Sequence, residues 1–227
     1  MKLLYIPALL TLLVLSACSK KNAPTPTPPT NTGTVVIAGA TYATIIIGKQ
    51  TWTSFNYYNT TGNFSYTDPT YQNYYTLAQA SQITLPAGWR IPTRADFNAL
   101  LATFTSNKNS AGDYSGDISV ARALADTAKF HSLASFDLTM KPTNSSGFSA
   151  FPGGEYDITN KALNDQTIGA AFLTSTTGTQ NSVTVTYFFG VTADGVAIGQ
   201  STAGGYFAGL DYNYNPYAYS LRFVKDN

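Results

Sequence analysis

Charge is what this sequence has least of. Lys, Arg, Asp and Glu together make up 11% of its 227 residues, against roughly a quarter in an average globular protein. The 13 basic residues face 12 acidic ones, and the one basic cluster is Lys20-Lys21 near the N-terminus. From Val35 onward 10 basic residues stand against 12 acidic ones. Phosphates would meet no positive field there, which excludes an electrostatically steered nucleic-acid binder. Cysteine is equally scarce. The single Cys18 excludes an intrachain disulfide framework and any cysteine-cluster metal site. The single His131, between Phe130 and Leu133, reads as structural or surface-placed. With no nucleophile-elbow motif beside it, no Ser-His-Asp triad can be assembled. No catalytic residue, metal or cofactor is assigned, and a non-enzyme is expected.

Aromatic residues are abundant instead, at 14%, with 16 Tyr among Asn, Thr, Ser and Gly. Such a composition argues against disorder, which goes with high charge and few aromatics.

The N-terminus carries an address. Lys2 precedes an apolar run, Leu3 to Leu15, too short for a comfortable membrane span, which ends in Leu15-Ser16-Ala17-Cys18. That tetrapeptide resembles the lipobox of bacterial lipoproteins. The resemblance implies a signal peptide over 1–17, acylation of Cys18 (palmitate among the acyl chains) and an outer-membrane lipid anchor. Several acyl chains make attachment stable where one is marginal. Residues 18–34 join the lipidated Cys to a Pro/Thr-rich tether, an extended spacer of about 3.1 Å per residue. Ser19-Lys20-Lys21 is basic where some surface-exported lipoproteins are acidic, so the periplasmic and surface faces both stay open.

Residues 35–227 are expected to form one domain. Tyr42–Ile47 and Gln50–Trp52 read as a hairpin about Gly48-Lys49. Thr76–Ile83 reads as a helix stopped by Pro86 and Gly88. Thr93 and Asp96 have the form of a capping box opening a helix in which Phe97, Leu100, Leu101 and Phe104 recur at helical spacing. Val120–Phe130 is a further helix candidate. Val183, Val185 and Tyr187 share one face of a strand, Asp194-Gly195 turns into Val196–Ile198, and Tyr217, Tyr219, Leu221 and Phe223 alternate along a last strand. Few helices and many short strands give an α+β class with long polar loops.

Four segments in order, Ile47–Trp52 (IGKQTW), Leu85–Thr93 (LPAGWRIPT), Asn144–Gly154 (NSSGFSAFPGG) and Tyr219–Asp226 (YSLRFVKD), resemble the Fibrobacter succinogenes major paralogous domain family across the whole of 35–227. The resemblance implies a C-type lectin-like fold: a twisted antiparallel sheet, two helices and long irregular loops. Many members carry Cys where Leu85 and Phe223 stand. Their joint loss implies that the two positions face one another through an apolar contact. The Trp-Ser-Ser-Thr block of other members is weakened here to Phe172–Thr176. Trp89–Thr93 also resembles a stretch of formylglycine-generating enzymes, but those work through cysteines that this chain lacks after Cys18. A buried Trp89 and a helix cap are the expectation there.

Oxygen ligands crowd Glu155, Asp157, Asn160, Asn164 and Asp165, and calcium wants six to eight. No Glu-Pro-Asn or Trp-Asn-Asp pattern accompanies them, so polar loop chemistry is preferred and calcium is left open. The strongest functional signal is aromatic: Phe55–Tyr75 and Tyr206–Tyr219 interleave Tyr with Asn, Thr, Ser, Gly and Asp. Tyr offers a stiff amphipathic contact surface at low entropy cost, and Asn and Ser add adaptable hydrogen bonds. The candidate ligand-binding residues are Tyr206, Tyr212, Asn213, Tyr214, Asn215 and Tyr217, with Tyr212–Asn215 expected in an exposed loop before Pro216. The expected function is a lipid-anchored, non-enzymatic envelope module that recognises a glycan. The alternatives are a protein-binding adhesin or surface-assembly component diversified in its C-terminal Tyr/Asn-rich region, and a degraded enzyme relative kept as a structural protein.

Overall fold

Ala38 and Gly39 both adopt positive φ, 48° and 83°, the left-handed pair demanded by a two-residue hairpin turn. They join β1 (Gly33–Ile37) to β2 (Ala40–Ile47), so the paired structure begins two residues before Val35. The next turn is the expected one: Gly48, at φ 61°, leads from β2 into β3 (Gln50–Thr53). A Cβ at Gly48 would also lie 2.7 Å from the Thr103 methyl, so glycine is required twice over. This computed structural model describes residues 33–59, 62–128, 130, 141–167, 169–180, 182–192, 195–197, 210–213 and 217–227. At 180, 183, 195–197 and 210–213 it describes the backbone alone.

A small hairpin, β4 (Tyr66–Asp68) with β5 (Gln72–Tyr74), follows, and then, among the described residues, three short helices. Helix α1 (Leu77–Ala80) is a single turn inside the expected Thr76–Ile83. Thr76 and Gln79 form a capping box, and the Ser81 hydroxyl donates back to the Leu77 carbonyl at 2.7 Å, the kind of local bond that competes with helix continuation. Helix α2 (Arg94–Leu101) is capped as the sequence predicts: Asp96 accepts from the Thr93 N–H at 2.8 Å, while Thr93 Oγ1 accepts from the Asp96 N–H at 3.1 Å. Phe97, Leu100 and Leu101 are fully buried. Helix α3 (Ile118–Leu124) starts earlier than expected, at the Asp117 cap, and stops well before Phe130. Ala125 turns extended there because it bridges to Ala150, with Ala150 N–H donating to Leu124 and Asp126 N–H to Ala150.

The second half is strands: β6 (Glu155–Asp157), β7 (Ala162–Asn164), the long pair β8 (Gly169–Gln180) and β9 (Val183–Thr192), then β10 (Gly195–Ala197), β11 (Leu210–Asn213), β12 (Tyr217–Tyr219) and β13 (Val224–Asp226). Among the described residues four antiparallel sheets result, ordered β1-β2-β3-β13, β10-β9-β11 with β8 on the other side of β9, β12-β6-β7, and β4-β5. A sheet-rich α+β chain is thus what forms. The register of β8 on β9 shifts between Leu173 and Thr177, inside the Phe172–Thr176 block. Thr174 Oγ1 donates to the Tyr187 carbonyl there, and the Ser175 N–H reaches Pro92.

Two expectations need correcting. The final segment is not one alternating strand but two short ones, because Ser220 and Arg222 are as buried as Leu221 and Phe223. Residues 220–223 thread between layers, with Ser220 bridging Phe172, and the chain joins a strand ladder again when Val224 meets Trp52. Tyr212 and Asn213, expected in a loop, lie in β11 opposite Tyr187 and Thr186, since β9 offers that half of its edge.

The core has two main parts. One gathers Trp52, Phe97, Leu100, Phe148, Phe172 and Phe189, with Phe97 and Phe189 stacked at 4.4 Å. The other gathers Tyr57, Tyr75, Leu221 and Phe223, and Leu85 packs against it. Leu85 and Phe223 therefore share one apolar cluster. Trp89, expected buried, is half-buried on the same cluster, with the Lys225 ammonium 5.6 Å above its ring.

Arg222 joins these parts. Fully buried, it donates to Asn56 Oδ1 at 2.7 Å, to the Thr53 and Phe148 carbonyls at 2.9 and 2.8 Å, and to the Ser149 carbonyl at 2.7 Å. Burial pulls its pKa down to about 9, which leaves it charged near neutral pH. Of the four motif segments, Tyr219–Asp226 contains it, Asn144–Gly154 accepts from it at Phe148 and Ser149, and Ile47–Trp52 ends beside its acceptor Thr53; the fourth joins through the Arg90–Val224 bridge.

Candidate functional site

The first aromatic stretch is mostly core. Tyr57, Tyr74 and Tyr75 are buried, Tyr66 stacks on Tyr156 at 4.5 Å, and Tyr74 donates its hydroxyl to the Gly153 carbonyl at 2.6 Å. Two large aromatics of that stretch stay in solvent, Phe55 at 53% and Tyr58 at 43% exposure. The expectation that Phe55–Tyr75 as a whole forms a contact surface therefore narrows to these two. Tertiary contacts draw the rest inward: the backbone leaves β3 at Thr53, and the consecutive Asn56 and Tyr57 both turn into the layer held by Arg222 and Phe223.

Tyr58 is presented from a fixed backbone. The Tyr42 hydroxyl donates to the Tyr58 carbonyl at 2.9 Å and accepts from the Tyr58 N–H at 3.4 Å. Burial pushes the Tyr42 phenol up, so it remains a neutral donor at physiological pH. Beside Tyr58 lies a cleft of about 410 Å³ between the Ala38-Gly39 turn, Tyr42, Tyr57 and Asn59. A second cleft of about 340 Å³ shares Ala38, Tyr57 and Asn59 with it and runs on toward Asn63, Gln79 and Gln82. The shared wall is braced: Asn59 donates to the Tyr57 hydroxyl at 3.1 Å, and Asn73 donates to the Asn59 carbonyl at 2.7 Å and to the Tyr75 hydroxyl at 3.1 Å. Gln79 is set by the cap of α1, its Oε1 accepting from Ser65 Oγ and the Thr76 N–H. Burial raises Tyr75 as well. The walls thus offer neutral phenols and amides on a rigid frame, suited to reversible hydrogen bonding and stacking.

Of the six candidate ligand residues, Tyr206, Tyr214 and Asn215 lie outside the described residues, as do Cys18 and His131. Tyr212 and Asn213 are placed by backbone in β11. Tyr217 is half-buried in β12 opposite Asp157. Burial, then the Asp157 and Glu155 charges, raise its phenol, which is hydrogen-bonded to Asp157. Its strand neighbour Tyr219 is 2% exposed and stacks on Phe188 at 4.9 Å. The described part of the C-terminal set is thus spread along two different sheets.

The oxygen-rich segment 155–165 is a hairpin. Asp157 accepts from the Thr159 and Asn160 N–H groups at 2.9 Å each and from Asn160 Nδ2 at 2.7 Å. Those bonds hold its carboxylate below the usual range and use it to close the turn. Among the described residues no three His, Cys, Asp or Glu side chains gather.

Asn59 and Asn63 fall within the Phe55–Tyr75 stretch, whereas Gln79 and Gln82 escaped sequence reasoning because a helix and the residues after it bring them to the cleft only in the fold. The usable signal was the run of Tyr and Asn in 57–63 taken with an amide at each of 79 and 82.

The model of the Fibrobacter succinogenes major domain family matches residues 45–225. No curated protein and no solved structure matches the chain.

Proposed function

The chain belongs to the Fibrobacter succinogenes major domain family, and from that premise we propose that it is a lipid-anchored, non-enzymatic binding module of the cell envelope that takes a glycan in the cleft beside Tyr58. The observation that supports this most is Tyr58 itself: 43% exposed, on a backbone gripped by the Tyr42 hydroxyl, it lines a cleft that shares its Asn59 wall with a second cleft carrying the Asn63, Gln79 and Gln82 amides. A single exposed aromatic is unremarkable. One that is preorganised beside convergent neutral polar groups has the composition of a sugar site, where the ring takes the apolar face of a pyranose and the amides take its hydroxyls. A C-type lectin-like arrangement accords with the short helices, antiparallel sheets and long connections. Anchoring through Cys18 rests on Leu15–Cys18 and the Pro/Thr spacer.

Glycan-array binding of the chain, compared with Tyr58→Ala and with the double variant Tyr212→Ala/Tyr214→Ala, tests the reading. Loss in Tyr58→Ala alone places the ligand in the cleft, whereas loss in the double variant alone moves it to the C-terminal tyrosines. An array blank on folded protein refutes the glycan and favours a protein partner.

A further inference from the structure

The two clefts share a property that composition alone does not assign to any site: no Asp, Glu, Lys, Arg or His lines either of them among the described residues. Between Gly33 and Trp89, the part of the chain that builds both clefts, the sequence holds only two charged residues, Lys49 and Asp68. Neither serves the clefts. Lys49 sits in the turn after β2, while Ala38-Gly39 precedes β2. Eight residues of strand, at about 3.3 Å each, separate the two turns by roughly 25 Å. Asp68 is committed to the β4–β5 turn, where its carboxylate accepts from the Thr70 and Tyr71 N–H groups at 2.7 and 2.9 Å.

Resting on the glycan reading of this cleft, we infer that its ligand is an uncharged oligosaccharide and that it is held without a divalent cation. A uronate or sulfate would surrender hydration on entering and find no cation among the described lining residues to replace it, a net penalty. Calcium takes six to eight oxygens, normally including carboxylates, and the walls offer only amide, phenol, hydroxyl and main-chain oxygens. Neutral sugar hydroxyls both donate and accept, as do Asn63 and Gln82, which stand exposed on the rim. Because Ala38, Tyr57 and Asn59 wall both clefts, a ligand filling them runs past that shared wall and needs more than one sugar ring.

The test uses the full-length chain in detergent, titrated with neutral cello-, manno- and xylo-oligosaccharides and galactan, and with polygalacturonate and alginate as acidic counterparts. The expected result is binding to at least one neutral glycan, with acidic ones weaker by about tenfold or more. Affinity should be unchanged by EDTA and flat as NaCl rises across the range that screens surface charge. Tyr58→Ala should weaken it by about tenfold and Tyr58→Phe should retain it, in keeping with about 1.4 kcal/mol per decade. Preference for the acidic glycans, or loss in EDTA, overturns this inference while leaving the glycan reading standing. Neutral binding indifferent to Tyr58→Ala overturns it too, because the cleft is then not the site. No binding to any glycan of either kind overturns the glycan reading and the inference together.

Discussion

Replacing Arg222 by methionine should be among the most damaging single changes available. The guanidinium makes four hydrogen bonds of 2.7–2.9 Å, to Asn56 Oδ1 and the carbonyls of Thr53, Phe148 and Ser149. Bonds from a charged donor contribute about 1.5–3 kcal/mol each, a gross loss of about 6–12 kcal/mol. Part of that is offset, because burial lowers the Arg222 pKa from 12.5 to about 9. At about 1.36 kcal/mol per unit, holding the cation inside costs on the order of 5 kcal/mol, which methionine would not incur. Contact with the Phe148 and Phe172 rings, 5.0 and 5.4 Å from the guanidinium carbon, is kept in part by the thioether. A net loss on the order of 4 kcal/mol remains. Urea unfolding followed by tryptophan fluorescence should show it as a midpoint lower by about 2 M, for a slope near 2 kcal/mol/M. Trp52 is a suitable reporter, since it is buried and 5.6 Å from Phe148. Arg222→Lys should fall between, because an ammonium lacks the planar fork needed to reach all four acceptors. An unchanged midpoint in Arg222→Met would refute the reasoning, since desolvation would then cancel the whole network.

Asp96 sets a pH dependence. Burial alone would raise its pKa, but the Arg90 guanidinium and the Thr93 N–H and hydroxyl outweigh burial and hold it below the ordinary 3.8. A depressed carboxylate contributes stability above its unfolded value and loses it as pH falls through the folded one. Wild-type melting temperature should therefore drop as pH falls below about 4, and less steeply in Asp96→Asn, which also loses about 1–3 kcal/mol at pH 7. Gly154→Ala should cost about 2–4 kcal/mol in a denaturant titration, because its Cβ would lie 1.7 Å from the Asn164 carbonyl at a φ of 63°; wild-type stability there would show that the β6–β7 hairpin yields. Cys18→Ser should release the chain from the membrane fraction and abolish incorporation of labelled palmitate; continued membrane association would refute lipid anchoring.

Local features were legible where local chemistry decides them. The Gly48 turn follows from glycine between two β-branched runs, and the α2 cap from Thr93 and Asp96 three residues apart. The burial of Phe97, Leu100 and Leu101 follows from helical periodicity. The family itself was legible in four motifs, and the structure gives them a common physical role: Trp52, Phe148 and Arg222 meet in one place, and Arg90 pairs with Val224. Helix lengths were less legible. Ser81 and Ala125 end α1 and α3 through bonds that depend on one side chain or on a distant segment.

The tyrosines mark the limit. By itself the sequence determined a sparsely charged, tyrosine-rich α+β chain of this family, with lipobox-like residues before Cys18, because composition, periodicity and motif spacing are properties of the chain. Only the tertiary structure decided which tyrosines are core and which face solvent. Tyr57, Tyr58, Tyr74 and Tyr75 are chemically alike, yet three are buried and Tyr58 is not. The difference comes from layers contributed by residues 217–224, more than 140 positions away in the chain. Burial is set by what packs across a residue, and that partner is not written beside it.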